Sequence, residues 1–159
     1  PLYMTPLGPE TEMAMEAAWV KITGGIASPP AQVAVKGRSV PVPAAAMGAA
    51  RFAFADLCEA PLGARDFLAI ARQYHTLMVE NVPVIGDGKR NEAKRFITLI
   101  DTLYDNRNKL VVSAAAHPQE LYRAKSGTEA FEFDRTASRL VEMRSDDWIA
   151  AKKPMAAAS

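Results

Sequence analysis

Residues 76–114 decide the fold; they read TLMVENVPVIGDGKRNEAKRFITLIDTLYDNRNKLVVSA. The stretch begins with an apolar run, Thr76–Val84, and ends with another, Lys109–Ala114, that is continuous rather than alternating. A continuous apolar run is typical of a strand covered on both faces. Between the runs, apolar residues repeat at spacings of three and four, which predicts a helix over Asn91–Asn106. The stretch therefore predicts a strand, a helix and a second strand.

The same alternation begins further upstream. Arg51–Asp56 alternates as a strand, and Pro61–Tyr74 carries a helical apolar stripe. Three strands separated by two helices imply right-handed crossovers between parallel neighbours. The predicted fold class is therefore α/β, with a small mainly parallel sheet and helices on its faces.

Two elements are expected before this sheet. Pro9–Ile22 has apolar residues at helical spacing and starts with a proline, so it predicts an N-terminal helix. Gln32–Lys36 and Ser39–Val42 alternate on either side of a two-residue link that contains Gly37, a pattern that indicates a β-hairpin. Pro41 has no N–H to donate, which places its strand at an edge.

The remaining segments are assigned as follows. The small-residue run Ala44–Ala50 is ambiguous. Pro118–Arg123 predicts a helical turn, Glu129–Asp134 a further strand, and Thr136–Ala151 a closing helix capped by the side chain of Asp134.

Length sets the domain organisation. We expect residues 1–151 to form one domain and residues 152–159 to be a frayed tail. The chain starts at Pro1 rather than at a methionine, so we expect a fragment of a longer protein or a processed product. No apolar run approaches the length of a membrane span.

Composition narrows the function classes. The 159 residues include 19 basic and 18 acidic side chains, a net charge of +1. This balance, without a stacking-aromatic motif, argues against a nucleic-acid partner. Cys58 is the single cysteine, which excludes an internal disulfide and a Cys-rich zinc site and fits a reducing compartment. His75 and His117 are the two histidines, and they do not make a metal cluster or a nucleophile pair.

The loop Gly86–Arg90 almost matches a phosphate loop. In the pattern G-x-x-x-x-G-K-[ST], Pro83 takes the position of the first glycine and Arg90 that of the serine or threonine. The complete pattern occurs nowhere in the chain. Two interpretations stay open: a flexible connector, or an anion or nucleotide held at the start of the following helix.

Ligands of parallel sheets tend to lie beyond the carboxyl ends of the strands. Here those ends carry Asp56–Cys58, Gly86–Lys89, and Ser113 with His117. Phe96–Asp101 superficially resembles the apolar strand and acid of a Walker B motif, but its 3.6-residue stripe favours a helix with the acid on the polar flank.

Several segments together resemble one family. The most specific runs from Arg90 to Asp105. In these segments the chain resembles the C-terminal part of ZapE-type (AFG-like) ATPases of the AAA family, which act in cell division. The resemblance covers roughly residues 2–148. Its other segments are Val35–Arg38, Arg51–Cys58, Pro61–Ala64, His75-Thr76, Val82-Pro83, Ser113-Ala114 and Phe133–Leu140.

The resemblance implies an ATP-hydrolysing parent protein whose Walker A, Walker B and first sensor motifs lie in an N-terminal half. The full-length protein is then expected to bind ATP and Mg²⁺, while this chain, without a phosphate loop, is expected to bind no cofactor alone. Its arginines in the matching segments are implied as trans-acting or sensor residues: Arg90, Arg95, Arg135 and Arg139.

Partners follow from the same resemblance. They are the rest of the ATPase chain, further copies in a homo-oligomer, cell-division proteins and membrane-associated proteins, in a cytoplasmic location that includes the membrane periphery. The alternative function is a non-enzymatic interaction module that docks a division or membrane partner through the Val33–Val42 hairpin.

Overall fold

A five-stranded sheet forms the centre of the protein. The computed structural model describes residues 2–124 and 127–151, so the predicted tail at 152–159 lies outside the described residues. In chain order the strands of the described residues are β1 Tyr3–Met4, β2 Ala31–Val35, β3 Arg38–Val42, β4 Ala44–Ala46, β5 Ala49–Ala53, β6 Thr76–Val82 and β7 Lys109–Ala114. The central sheet has the order β1-β7-β6-β5-β4, in which only β4 runs antiparallel to its neighbour. The predicted mainly parallel α/β sheet is confirmed.

Within residues 2–124 and 127–151, five α-helices accompany these strands. They are α1 Pro9–Thr23, α2 Ala64–Gln73, α3 Arg90–Asp105, α4 Thr128–Glu142 and α5 Asp146–Ala150. The N-terminal helix and the helices of the two crossovers are confirmed, although α2 starts three residues later than predicted, at Ala64 rather than Pro61.

Alternate residues of the strands point to two separate cores. Leu77 and Val79 of β6 pack with Phe67 of α2 and Phe96 of α3. Met78, between them in sequence, packs on the opposite face against α1. Strands buried on both faces explain why their sequences are continuously apolar rather than alternating.

The predicted hairpin is a separate two-stranded sheet formed by β2 and β3. Its turn residues are Lys36 and Gly37, one position earlier than predicted, because Arg38 already pairs with Val35. Gly37 has φ +81°, a conformation that favours glycine in such a turn. One side of the hairpin is buried against the core, through four valines: Val33, Val35, Val40 and Val42.

An ion pair fixes the hairpin to α2. Arg38 Nη2 lies 2.6 Å from Asp66 Oδ1 and donates to Oδ2 at 2.7 Å. Asp66 is fully buried and also accepts the Gly63 N–H at 2.8 Å, at the start of α2. The same carboxylate therefore caps a helix and holds a hairpin.

Two predicted segments around β5 have different boundaries. The ambiguous alanine run forms β4, a turn at Met47-Gly48, and the start of β5. The strand predicted to reach Asp56 ends at Ala53, because the chain then closes a π-helical turn, Ala55–Glu59. Asp56 Oδ2 accepts the Ala53 N–H at 2.8 Å, which stabilises this change of direction.

The strand predicted at Glu129–Asp134 is wrong. These residues lie in α4, which begins at Thr128. Phe131 and Phe133 are spaced as on one face of a strand, but Phe131 is 81% exposed, whereas Phe133 packs on Phe96 of α3. Ala137 and Leu140, one and two helical turns after Phe133, are also buried. Tertiary contact with α3 thus selects the helical period over the local period of two.

The closing helix predicted at Thr136–Ala151 is not one continuous helix but parts of two separate helices. Helix α4 ends at Glu142, and α5 starts after Ser145. Ser145 Oγ accepts the Trp148 N–H at 3.2 Å, so Ser145, rather than Asp134, is a helix cap here. Upstream, the predicted turn at Pro118–Arg123 contains a 3₁₀ turn, Pro118–Glu120.

Candidate functional site

The four arginines predicted from the resemblance lie on two helices in contact. Arg90 and Arg95 belong to α3, while Arg135 and Arg139 lie one turn apart on α4. The apolar stripe of each helix is buried, so the arginines project from the flanks and the outer surface. The structure divides them into three environments.

Asp101 is the centre of the first environment. It lies on the polar flank of α3, and the predicted helix at this Walker B-like segment is confirmed. Arg135 Nη2 donates to Asp101 Oδ2 at 3.0 Å, and Arg139 Nη1 donates to Oδ1. Two guanidinium groups share one carboxylate, so this trio carries an excess positive charge.

The two arginines on Asp101 differ in freedom. The Cζ atom of Arg139 lies 4.6 Å from the centroid of the Tyr104 ring, and 24% of its side chain is exposed. Arg135 has no ring against it among the described contacts and is 51% exposed. Arg139 is therefore held on two sides, whereas Arg135 is anchored at one carboxylate and otherwise faces solvent.

A layered stack supports Arg139. The rings of Tyr104 and Trp148 are 4.9 Å apart at an angle of 20°, and Arg107 lies over Trp148 with its Cζ 5.1 Å from the ring centroid. The Tyr104 hydroxyl donates to Glu142 Oε2 at 2.8 Å, and this carboxylate raises the pKa of the tyrosine. Cation–π contacts of this kind fix both rings and guanidinium planes.

Arg90 occupies the second environment, where the first turns of α3 and α4 meet. Its Nη2 lies 3.2 and 3.3 Å from the two carboxylate oxygens of Glu129, and Lys94 Nζ lies 3.8 Å from one of them. Glu129 is buried, and its own backbone N–H, followed by Arg90, lowers the pKa of its carboxyl group. The guanidinium of Arg90 stays largely exposed, at 62% of its side chain.

Arg95 forms the third environment and points to the π-helical turn. Its Nη1 donates to the Cys58 carbonyl at 3.1 Å. Burial raises the pKa of the Cys58 thiol well above its ordinary value, so this cysteine is a packed apolar side chain rather than a thiolate. Arg95 is the arginine of the four that braces the fold.

The polar groups of Lys89 in the Gly86–Arg90 loop contact residues of the loop itself and of α3. Asp87–Lys89 forms a 3₁₀ turn in which the Lys89 N–H donates to the Gly86 carbonyl at 3.1 Å. The Lys89 ammonium lies 3.7 Å from Glu92. A phosphate cradle directs successive backbone N–H groups at the anion, whereas the Lys89 N–H is bonded to Gly86 and its ammonium lies beside Glu92.

The other residues at the strand ends serve the fold. Ser113 Oγ accepts the Asn81 N–H at 2.9 Å. His75 lies between the Met47 carbonyl at 2.9 Å and the Thr76 hydroxyl at 2.7 Å, and the His117 carbonyl accepts the Glu120 N–H at 2.9 Å at the start of the 3₁₀ turn. Over residues 2–124 and 127–151, no three His, Cys, Asp or Glu side chains are placed to share a metal ion. In the same ranges, no helix combines the length and apolarity that crossing a bilayer requires.

Comparison with known proteins identifies the family. The model of the AFG1-like ATPase family matches residues 1–152, nearly the whole chain. The chain belongs to the AFG1-like ATPase family. A similar relative is the cell division protein ZapE of Escherichia coli K12, 34% identical over 152 residues, which are 93% of this chain and 39% of that protein.

Relatives of this AFG1-like chain extend to eukaryotes. An uncharacterized protein of Schizosaccharomyces pombe is 34% identical over 144 residues, covering 74% of this chain and 32% of that protein. Lactation elevated protein 1 homolog B of Danio rerio is 30% identical, covering 96% of this chain and 37% of that protein. The chain thus spans less than two fifths of the length of these relatives. No solved structure gives a significant match.

Sequence reasoning missed the partners that distinguish the four arginines of this AFG1-like chain. Asp101 was placed on a polar flank, but its two arginines lie 34 and 38 positions later. Glu129 falls in the segment predicted as a strand but lies in α4, and nothing in the pattern links Tyr104 to Arg139. No periodicity of one helix signals a contact between two helices, so this information was absent from the pattern.

Proposed function

We propose that this chain is the C-terminal α/β domain of an oligomeric ATPase that acts in cell division. Family membership supports ATP hydrolysis by the complete protein, and the name of the Escherichia coli relative supports the cellular role. ATP and Mg²⁺ are held by a part of the protein outside this chain, which contains no phosphate-loop pattern. The complete protein is cytoplasmic, with partners that include division proteins at the membrane.

Within this role, Arg135 is the arginine that acts on the nucleotide of a neighbouring subunit. The observation that carries the proposal is its geometry: one anchor at Asp101, 3.0 Å away, and about half of the side chain in solvent. A trans-acting arginine needs a fixed base and a free guanidinium edge, since its charge must reach phosphate oxygens on another molecule. Arg139 positions Arg135 by occupying the second oxygen of Asp101.

Arg90 is the second candidate, with a sensor role at the junction of α3 and α4. Its guanidinium joins the first turns of both helices through the buried Glu129. Contact with a nucleotide there draws Arg90 away from Glu129 and so changes how the two helices meet. Arg95 takes no part in this role, because its guanidinium braces the carbonyl of Cys58.

The test is steady-state ATP hydrolysis by the complete protein. Arginines supplied in trans contribute about 10³–10⁵ to kcat, so we expect Arg135→Ala to lower kcat by at least ~100-fold with a small effect on KM. Arg135→Lys is expected to remain impaired, since an ammonium lacks the planar fork of a guanidinium. Arg65→Ala, which removes an exposed arginine of α2, is the matched control and retains wild-type turnover.

Mixing experiments separate action in trans from action within a subunit. Arg135→Ala subunits are combined with subunits whose phosphate loop is inactivated, two species that are each inactive alone. Partial recovery of ATPase activity in the mixture is expected, because a competent phosphate loop then meets a competent arginine. Wild-type turnover by both Arg135→Ala and Arg90→Ala removes the arginine role altogether.

A further inference from the structure

A cavity lies beside the hairpin, away from the Asp101 trio. It is an open groove of about 560 Å³ between the hairpin and the π-helical turn. Most of its lining is apolar and small, with three proline rings along the hairpin side. The lining consists of Pro30, Ala31, Gln32, Pro41, Val42, Pro43, Ala55, Asp56, Glu59 and Ala60.

The groove carries charge of one sign. Among the residues that the structure describes, its charged lining side chains are Asp56 and Glu59, both exposed. No described lysine or arginine lines the groove to neutralise them. An apolar groove lined by two carboxylates repels nucleotides and other anions, and it attracts a cationic group that brings apolar surface.

The groove continues along the surface. Glu59 also lines a second cavity of about 250 Å³, which leads past Pro83 and Val84 to Glu92 near the start of α3. The one cation of that cavity, Lys89, lies 3.7 Å from Glu92 and is offset by it. Two adjoining depressions that share a wall suit an extended chain better than a compact small molecule.

Both walls are held by contacts within the fold. The hairpin side is fixed by the Arg38–Asp66 pair and by the Ala45 N–H, which donates to the Pro29 carbonyl at 3.1 Å. The opposite side is fixed by Arg95, which donates to the Cys58 carbonyl. A groove that is already formed avoids much of the ordering cost of binding.

We propose that this groove binds an extended basic polypeptide segment of a partner protein. Lysine or arginine side chains of the segment lay their aliphatic stems on the proline and alanine wall and place their charged ends at Asp56 and Glu59. Long basic side chains bury their stems and keep their charges at a polar site in this way. The inference concerns the hairpin side of the molecule and stands whether or not Arg135 acts on a nucleotide.

The groove also defines how the hairpin can take part in an interaction. Val33, Val35 and Val40 are buried in the core and do not line the groove, and Val42, which does line it, is only 1% exposed. The proline-bearing outer side of the hairpin and the neighbouring π-helical turn remain accessible. A docking role of the hairpin therefore uses this groove rather than the apolar face.

Two synthetic peptides test the charge requirement. Fluorescein-labelled Gly-Val-Lys-Pro-Val-Lys-Ala-Gly and its counterpart with glutamate for both lysines are titrated with the 159-residue chain, and fluorescence anisotropy is measured at 50 mM and 500 mM NaCl. We expect the lysine peptide to bind at least ~10-fold more tightly at low salt, and this preference to shrink at high salt. Equal affinity for both peptides, or binding of neither at 1 mM, overturns the proposal.

Substitutions locate the binding on the surface. The double variant Asp56→Asn/Glu59→Lys is expected to weaken binding of the lysine peptide ~10-fold or more. Asparagine at position 56 keeps an oxygen that can accept the Ala53 N–H. The control is Asp105→Lys, an exposed site at the far end of α3, where a lysine suits the helix terminus; it changes affinity less than twofold. In amide NMR spectra, shifts at Ala31, Ala55 and Ala60 support the site, whereas shifts confined to other surfaces overturn it.

Discussion

Separating Arg38 from Asp66 should loosen the hairpin from the rest of the protein. Asp66 is fully buried and accepts two hydrogen bonds, from the Gly63 N–H at 2.8 Å and from Arg38 at 2.7 Å. Hydrogen bonds to charged groups contribute about 1.5–3 kcal/mol each. We therefore expect Asp66→Ala to lower the free energy of unfolding by about 3 kcal/mol, the lower end of that sum.

Arg38→Ala removes one of these two bonds and leaves the carboxylate of Asp66 without its cation. Breaking a buried ion pair from one side costs about 3–5 kcal/mol, but exposed pairs contribute only ~0–1 kcal/mol. The Arg38 side chain is 50% exposed, so water replaces part of its contact. An intermediate loss of about 1–2 kcal/mol follows.

The assay is urea unfolding followed by tryptophan fluorescence, since Trp19 and Trp148 are buried in different parts of the protein. The double variant Arg38→Ala/Asp66→Ala completes a thermodynamic cycle. A shared interaction makes the double variant less destabilised than the sum of the single ones by about 1 kcal/mol, outside the ~0.3–0.5 kcal/mol scatter of independent sites. Strict additivity would refute the idea that this pair links the hairpin to α2.

Three further perturbations probe other parts of the structure. Phe96→Ala removes a fully buried ring that contacts Phe54 and Phe133, and it should lower the free energy of unfolding in urea by about 3–5 kcal/mol. In the matched control Phe131→Ala, at an 81% exposed ring, the free energy of unfolding should change by no more than ~0.5 kcal/mol. Equal losses in the two variants would contradict the packing described. Gly48→Ala should lower Tm, because Gly48 has φ +77° and the new Cβ would lie 2.6 Å from the His75 ring. Gly88→Ala is the control, since its Cβ would meet no atom within 4 Å. If Tm is unchanged in both variants, the turn at Gly48 adapts to the added Cβ. The pKa of Glu129 in the folded protein lies below its ordinary 4.5, so the ionised carboxylate stabilises the fold fully above pH 4.5, and this stabilisation is lost as the pH falls through the lower folded pKa. Glu129→Gln should therefore flatten the acid dependence of the free energy of unfolding, measured from pH 3 to 6. An unchanged profile would argue against the Arg90–Glu129 pair.

Local pattern determined much of the fold. The apolar stripe of α3 and the continuous runs of β6 and β7 predicted a parallel strand–helix–strand unit, and the structure confirms it. Alternating valines predicted the hairpin, since a strand buried on one face must alternate. These elements were readable because burial repeats along each of them with its own period, which depends only on the order of the residues.

Tertiary contact decided the rest. Glu129–Asp134 alternates like a strand, yet it is helical. The helical spacing places Phe133 and the buried residues that follow it at intervals of one turn on the side that packs against α3. The family resemblance implies four arginines as equivalent candidates, and only the tertiary structure distinguishes them. Arg139 lies over an aromatic ring, Arg95 donates to a backbone carbonyl, and Arg135 is about half exposed beside Asp101. The groove at Asp56 and Glu59 likewise joins segments more than ten residues apart. Such contacts depend on how separate elements meet in space, and the pattern within any one element does not carry that information.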